Sequence, residues 1–293
     1  MPKLFSVLLD HRRLRSFGAA LVPVGAVGMA ALFVPSSSAV PASQAGGVAQ
    51  QGLSAACGEA PVAVASEAAE SEQTVAVDTT KSATSPAVRA AYRRAVLGLV
   101  ARAASEKAVL RLVAFGASGV GARMMFQGSF APASVDDVFN LAAANRTRCL
   151  AKRAVESMLA IKPSPGLGSD VAGLLASEIS TGRALVAPGG TVTLTVFTDG
   201  CQAPAKKGPN SRLTDLCGRL ATGQTVASIL QARSDEFLLP DASGVMVVML
   251  GVGVGRNPEA ANTLLARKLV SFWTTVCRRA QHVKACRIGS GVL

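Results

Sequence analysis

Histidine is almost missing from this 293-residue chain. Only His11 and His282 occur, and His11 lies in a basic N-terminal stretch that reads as an export signal. A Ser-His-Asp or Cys-His nucleophile would therefore have to be built on His282 alone. The sequence also has no Gly-x-Ser-x-Gly elbow and no Gly-x-x-x-x-Gly-Lys phosphate loop, which argues against a hydrolase or a nucleotidase. Gly251, Gly253 and Gly255 invite comparison with a dinucleotide fingerprint, but the third glycine falls one residue early. Acidic residues are few, 18 against 30 Lys and Arg, yet no run of adjacent basic residues exceeds two, so nucleic acid is not an expected partner. No internal repeat is present. The chain reads as a binding protein rather than an enzyme.

What is present begins with Lys3, Arg12, Arg13 and Arg15, followed by residues 17–34 without a charge and the small-residue stretch 35–39. An apolar run of eighteen residues suits either a cleaved signal peptide or a single retained anchor, and both remain open. In either case the basic flank stays in the cytoplasm and the rest of the chain is expected outside it, secreted or anchored by this segment. All six cysteines follow the signal, and none has metal-ligand spacing. An even count in an exported chain reads as a disulfide set. Fifteen pairings are possible; Cys201 with Cys217 and Cys277 with Cys286 would each staple a local loop, leaving Cys57 with Cys149. Beyond residue 40 the chain carries 26 basic and 17 acidic side chains, a net of +9, which favours anionic surfaces.

Three parts follow from this: a signal peptide or signal anchor over residues 1–39, a flexible tether over 40–71, rich in Ala, Ser, Gly, Gln and Glu, and one domain over 72–293. Within the domain, apolar runs at 73–77, 109–115, 123–127, 191–197, 244–251 and 284–288 read as strands. The run at 123–127 is expected to fold back on its predecessor. Helical periodicity separates them. Ser85-Pro86 starts one helix, with Val88, Tyr92, Val96, Leu99 and Ala103 inward. Ser134 and Asp137 form a capping box for a second, with Val138, Leu141, Leu150, Val155, Met158 and Leu159 inward. Ser169-Asp170 opens a third. Asn257-Pro258 caps the last, with Leu264, Leu265, Leu269, Phe272, Trp273 and Val276 inward. Strands alternating with helices predict an α/β fold, a doubly wound and mostly parallel sheet with helices on both faces.

Such sheets bind ligands at the carboxyl ends of their strands. Asp78 and Asp199 each close a predicted strand, and hydroxyls stand beside them at Thr80, Ser82 and Ser169. In order and context these residues resemble the von Willebrand factor type A domain. Asp78, Thr80 and Ser82 match its Asp-x-Ser-x-Ser element, Ser169 its middle-loop threonine, and Asp199-Gly200 its third-loop aspartate and glycine. The chain departs from that pattern in having Thr80 for the first serine, Ser169 for threonine, and Lys81 between the hydroxyls.

The resemblance implies a Rossmann-like fold and a metal-ion-dependent adhesion site at Asp78, Thr80, Ser82, Ser169 and Asp199. Its ion would be Mg2+, or Mn2+ or Ca2+ in its place. It also implies an open coordination position filled by an Asp or Glu carboxylate of a protein partner. Hard oxygen donors of this kind are what Mg2+ takes. The alternative expectation is an envelope or cell-wall scaffold that uses no metal and engages an anionic polymer through basic faces. Thermal stability against Mg2+, and attachment against salt and chelator, separate the two.

Overall fold

Asp78 ends one strand and Asp199 follows the end of its neighbour at the centre of a six-stranded sheet in the computed structural model, which describes residues 57–58, 69–81, 85–116, 122–132, 136–163, 168–204, 212–254 and 263–291. The strands are β1 (Ala69–Asp78), β2 (Val109–Phe115), β3 (Arg123–Ser129), β4 (Val186–Phe197), β5 (Val245–Leu250) and β6 (Ala285–Ile288). Their spatial order is β3-β2-β1-β4-β5-β6. Every neighbouring pair is parallel except β2 with β3, which fold back on each other as expected. The chain builds outward from β1 in one direction, then returns to lay β4 on its other side and builds outward in the opposite direction. The gap between the ends of β1 and β4 is therefore the topological switch point, where a crevice opens in folds of this class.

Among the described residues six α-helices cover the sheet: α1 (Pro86–Ser105), α2 (Asp137–Leu159), α3 (Val171–Leu185), α4 (Leu216–Ala221), α5 (Val226–Ala232) and α6 (Leu264–Arg279). Alternate strand residues point to opposite faces. Val75, Val77, Leu110, Leu112 and Ala114 pack under α1 and α2, while Ala76, Val113, Val192, Leu194 and Val247 pack under α3 to α6. Both faces are covered, which is why β2 and β5 read as near-continuous apolar runs. The protein is a doubly wound α/β fold.

Local chemistry explains the helix starts. Ser85 Oγ accepts from the Val88 amide at 3.3 Å, and Pro86 occupies the first turn, where no intrahelical donor is needed. Asp170 Oδ1 caps α3 by accepting from Gly173 N at 2.8 Å. Two expectations are corrected here. The cap of α2 is Asp136, whose Oδ1 accepts from Val138 N and Phe139 N, while Ser134 lies outside the described residues. Thr263 caps α6, its Oγ1 accepting from Ala266 N, and Asn257-Pro258 likewise lie outside the described residues.

Three side chains expected inside are outside. Val138 is 78% exposed, Leu141 64% and Leu264 62%. Each lies off the buried stripe of its helix, Val138 and Leu141 away from the side that carries Ala143, Leu150, Ala154 and Met158, and Leu264 away from the side that carries Leu269, Trp273 and Val276, so an apolar residue there does not mark the inward face. Leu150, Val155, Met158, Leu269, Phe272, Trp273 and Val276 are buried as the spacing requires.

Three disulfides join Cys57–Cys149, Cys201–Cys217 and Cys277–Cys286. They fit a chain that matures in an oxidising, extracytoplasmic compartment. The segment at residues 1–39 and most of the tether lie outside the described residues. No helix among the described residues is long and apolar enough to cross a membrane.

Candidate functional site

The carboxylate of Asp78 is fully buried at the end of β1 and collects hydroxyls from three loops. Its Oδ1 accepts from Thr80 N at 2.9 Å and from Thr80 Oγ1 at 2.7 Å, within the loop that leaves β1. Its Oδ2 accepts from Ser169 Oγ at 3.0 Å, in the loop before α3, and from Thr198 Oγ1 at 2.8 Å, in the loop after β4. Burial raises the pKa of Asp78, opposed by these same bonds from Thr80, Thr198 and Ser169, which favour the anion.

Asp199 is also buried, 2% exposed, and its Oδ1 accepts from Cys201 N at 2.9 Å. The two aspartates face a common neighbour in Tyr92 of α1. Burial, then the charges of Asp78 and Asp199, push that phenol well above its ordinary value. Of the five residues read from the sequence, Asp78, Thr80 and Ser169 are thus joined by direct hydrogen bonds, and Asp199 stands across from Asp78 beside the same tyrosine. Ser82 lies outside the described residues. Lys81 is exposed.

Glycines make the close approaches possible. Gly116, at the end of β2, has φ +81°, and a Cβ there would lie 2.7 Å from Thr80 Cγ2 and 3.0 Å from Asp78 Oδ1. A Cβ at Gly251 would come within 2.6 Å of the Tyr92 hydroxyl, so the glycine directly after β5 serves packing against the site.

Thr198 stands outside the five ligands read from the sequence, although it directly precedes Asp199 in the same oxygen-bearing segment. Strand alternation supplied the missing signal, since Val192, Leu194, Val196 and Thr198 share the face of β4 that looks toward α3. Gly116 gave a similar cue, being the first residue after a fully buried strand.

Among the described residues no group of three or more His, Cys, Asp and Glu side chains gathers as a metal cluster. The donors here are instead hydroxyls around carboxylates. A hydroxyl that donates its one proton to Asp78 can still accept through its oxygen, so Thr80, Ser169 and Thr198, the last of which also accepts from Gly200 N at 3.0 Å, can serve the carboxylate and a small hard cation together. The donor set fits Mg2+, which takes oxygen ligands at about 2.1 Å and retains water. His282 is elsewhere. Its Nδ1 lies 3.1 Å from Asp241 Oδ1, and the adjoining Lys284 N bonds to Val245 at the start of β5, the end of the sheet opposite Asp78.

No family model and no curated protein matches the chain. Among solved structures it is similar to the conserved hypothetical protein BatB from Bacteroides thetaiotaomicron, with 17% identity over 62% of this chain and 66% of that one and a TM-score of 0.33. It is also similar to the pilus adhesin SpaC of Lactobacillus rhamnosus GG in its open conformation, with 11% identity over 79% of this chain and 29% of that one and a TM-score of 0.44. A third is proximal thread matrix protein 1 of the mussel byssus, at 13% identity, 77% and 43% coverage and a TM-score of 0.36. The chain spans less than two thirds of each of these proteins.

Proposed function

We propose that this chain is an exported von Willebrand A-like binding module, not an enzyme. In this reading it holds Mg2+ through Asp78, Thr80, Ser82, Ser169 and Asp199 and engages a carboxylate of a protein partner at the crevice between β1 and β4. The observation that carries the reading is the convergence of Thr80, Ser169 and Thr198, from three separate loops, on one buried carboxylate. Asp78 and Asp199 supply negative charge to hold the ion, while the neutral hydroxyls leave part of its charge uncompensated. When bound, Mg2+ supplies a Lewis-acidic coordination position that accepts an oxygen of an external carboxylate. The residues do the remainder. Burial of Asp78 keeps competing water away, and its four accepted bonds fix the orientation of the hydroxyls.

Mg2+ or Mn2+ at millimolar concentration should raise the melting temperature of the wild-type chain, because a ligand of the folded state stabilises it by mass action. Asp78→Ala should abolish that rise. An unchanged melting temperature in the wild type with either metal defeats the proposal.

A second reading rests on a separate observation. Arg278, Arg279, Lys284 and Arg287, around the Cys277–Cys286 loop, are all exposed, and none pairs with a carboxylate among the described residues. Such a face suits an anionic envelope polymer without metal. Attachment of that kind weakens steeply with salt and ignores EDTA, whereas a metal-bridged contact is lost in EDTA.

A further inference from the structure

The loop that carries Asp199 is held from outside the site by side chains with no place in the metal reading. Gln202 is fully buried three residues beyond Asp199. Its Oε1 accepts from Ala172 N at 2.9 Å, in the first turn of α3, directly after the Ser169 loop. Its Nε2 donates to Glu236 Oε1 at 2.5 Å. Glu236 in turn accepts from Thr214 N and Thr214 Oγ1, both at 2.6 Å. The main chain repeats the connection. Ala203 N donates to Ser169 O at 3.1 Å, and Leu216 N donates to Gln202 O at 2.9 Å.

On the other flank, Trp273 Nε1 donates to Gly200 O at 2.8 Å, and Cys201 is bonded to Cys217. A carboxylate that accepts three bonds at such distances is a stronger fixture than a neutral acceptor. The Gln202 amide uses both its ends, Oε1 toward the segment that follows the Ser169 loop and Nε2 toward Glu236, so the Asp199 loop that carries it cannot shift against the Ser169 loop without breaking a buried bond.

We propose that Gln202 and Glu236 are positioning residues that lock the Ser169 and Asp199 loops to each other, so that the oxygens around Asp78 are preformed and not assembled by the ligand. The lock itself is independent of metal; its consequence for metal affinity rests on the function proposed above.

Hydrogen exchange of the full chain tests the lock in EDTA, with Glu236→Gln as an isosteric change and Gln202→Ala as a stronger one. Amides of residues 169–175 and 199–203 should exchange together, about tenfold faster than in the wild type, since both depend on one buried bond network. Faster exchange confined to residues 212–216 and 236–239 would overturn the lock and leave Glu236 a local loop brace.

The second readout is Mg2+ titration followed by the fluorescence of Trp273, the only tryptophan in the chain. Glu236→Gln should weaken binding about tenfold, the ratio expected when a charge-assisted network becomes neutral, with the metal-free melting temperature little changed. Equal affinities in variant and wild type overturn the positioning role. A wild-type chain that ignores Mg2+ defeats the metal reading instead, and the exchange experiment still decides the lock.

Discussion

Arg111 lies inside the sheet between two carboxylates. Its Nη1 is 2.7 Å from Glu178 Oε2 of α3 and 3.9 Å from Glu72 Oε1 of β1, and it donates to Thr74 Oγ1 at 3.3 Å. Thr74 Oγ1 donates to Glu72 Oε1. One guanidinium does not offset two buried acids, and burial raises Glu72 to a pKa of about 7 against Thr74 and Arg111, which act to lower it. The folded state therefore binds this proton more tightly than the unfolded chain, whose value is 4.5. Between those pH values the folded form carries more protons, so stability falls as pH rises from about 4.5 to about 7 and stays lower above it. Glu72→Gln, which keeps an acceptor for Thr74 and removes the charge, should flatten this slope. The gain above pH 7 should reach about 3 kcal/mol, measured by denaturant unfolding across the pH range.

At the scale of elements, α2 has two faces. One buries Ala143, Leu150, Ala151, Ala154, Val155 and Met158, while Val138 and Leu141 lie off it and face solvent. The hydrophobic effect follows area removed from water and not residue type, so the two faces differ in what they contribute. Val138→Ser and Leu141→Ser should each change stability by no more than about 0.5 kcal/mol, while Leu150→Ala should cost about 2–5 kcal/mol, all read from urea midpoints at constant slope. The helix caps were legible at Ser85 and Asp170, where a short polar side chain directly precedes an apolar stripe. At α2 and α6 several such residues compete in sequence, and the folded backbone places Asp136 and Thr263 where their side chains accept from the first-turn amides.

For the whole molecule the disulfides differ in reach. Cys57–Cys149 spans 92 residues, whereas Cys277–Cys286 spans nine. In the chain-entropy account the longer loop removes more freedom from the unfolded chain, by about 2 kcal/mol for this pair. Replacing Cys57 and Cys149 by serine should therefore lower the melting temperature more than replacing Cys277 and Cys286, as calorimetry of the two double variants would show. The reverse order would mean that the short loop carries native contacts of its own, and Ala242 N to Gln281 O and Lys284 N to Val245 O are the bonds to examine.

The doubly wound class, the strand count and the place of Asp78 and Asp199 at strand ends were fixed by local pattern, because burial on two faces forces apolar runs and acidic residues punctuate their ends. Cysteine number pointed to disulfides for an equally local reason, export. Tertiary structure decided the rest. Which hydroxyls meet Asp78 depends on strand order, which puts β4 beside β1 across a separation of more than a hundred residues, so Thr198 joins Thr80 and Ser169 only once the sheet is built. The Gln202–Glu236 lock and the buried Arg111 cluster are likewise contacts between distant segments, each satisfied by a partner that no neighbouring residue announces.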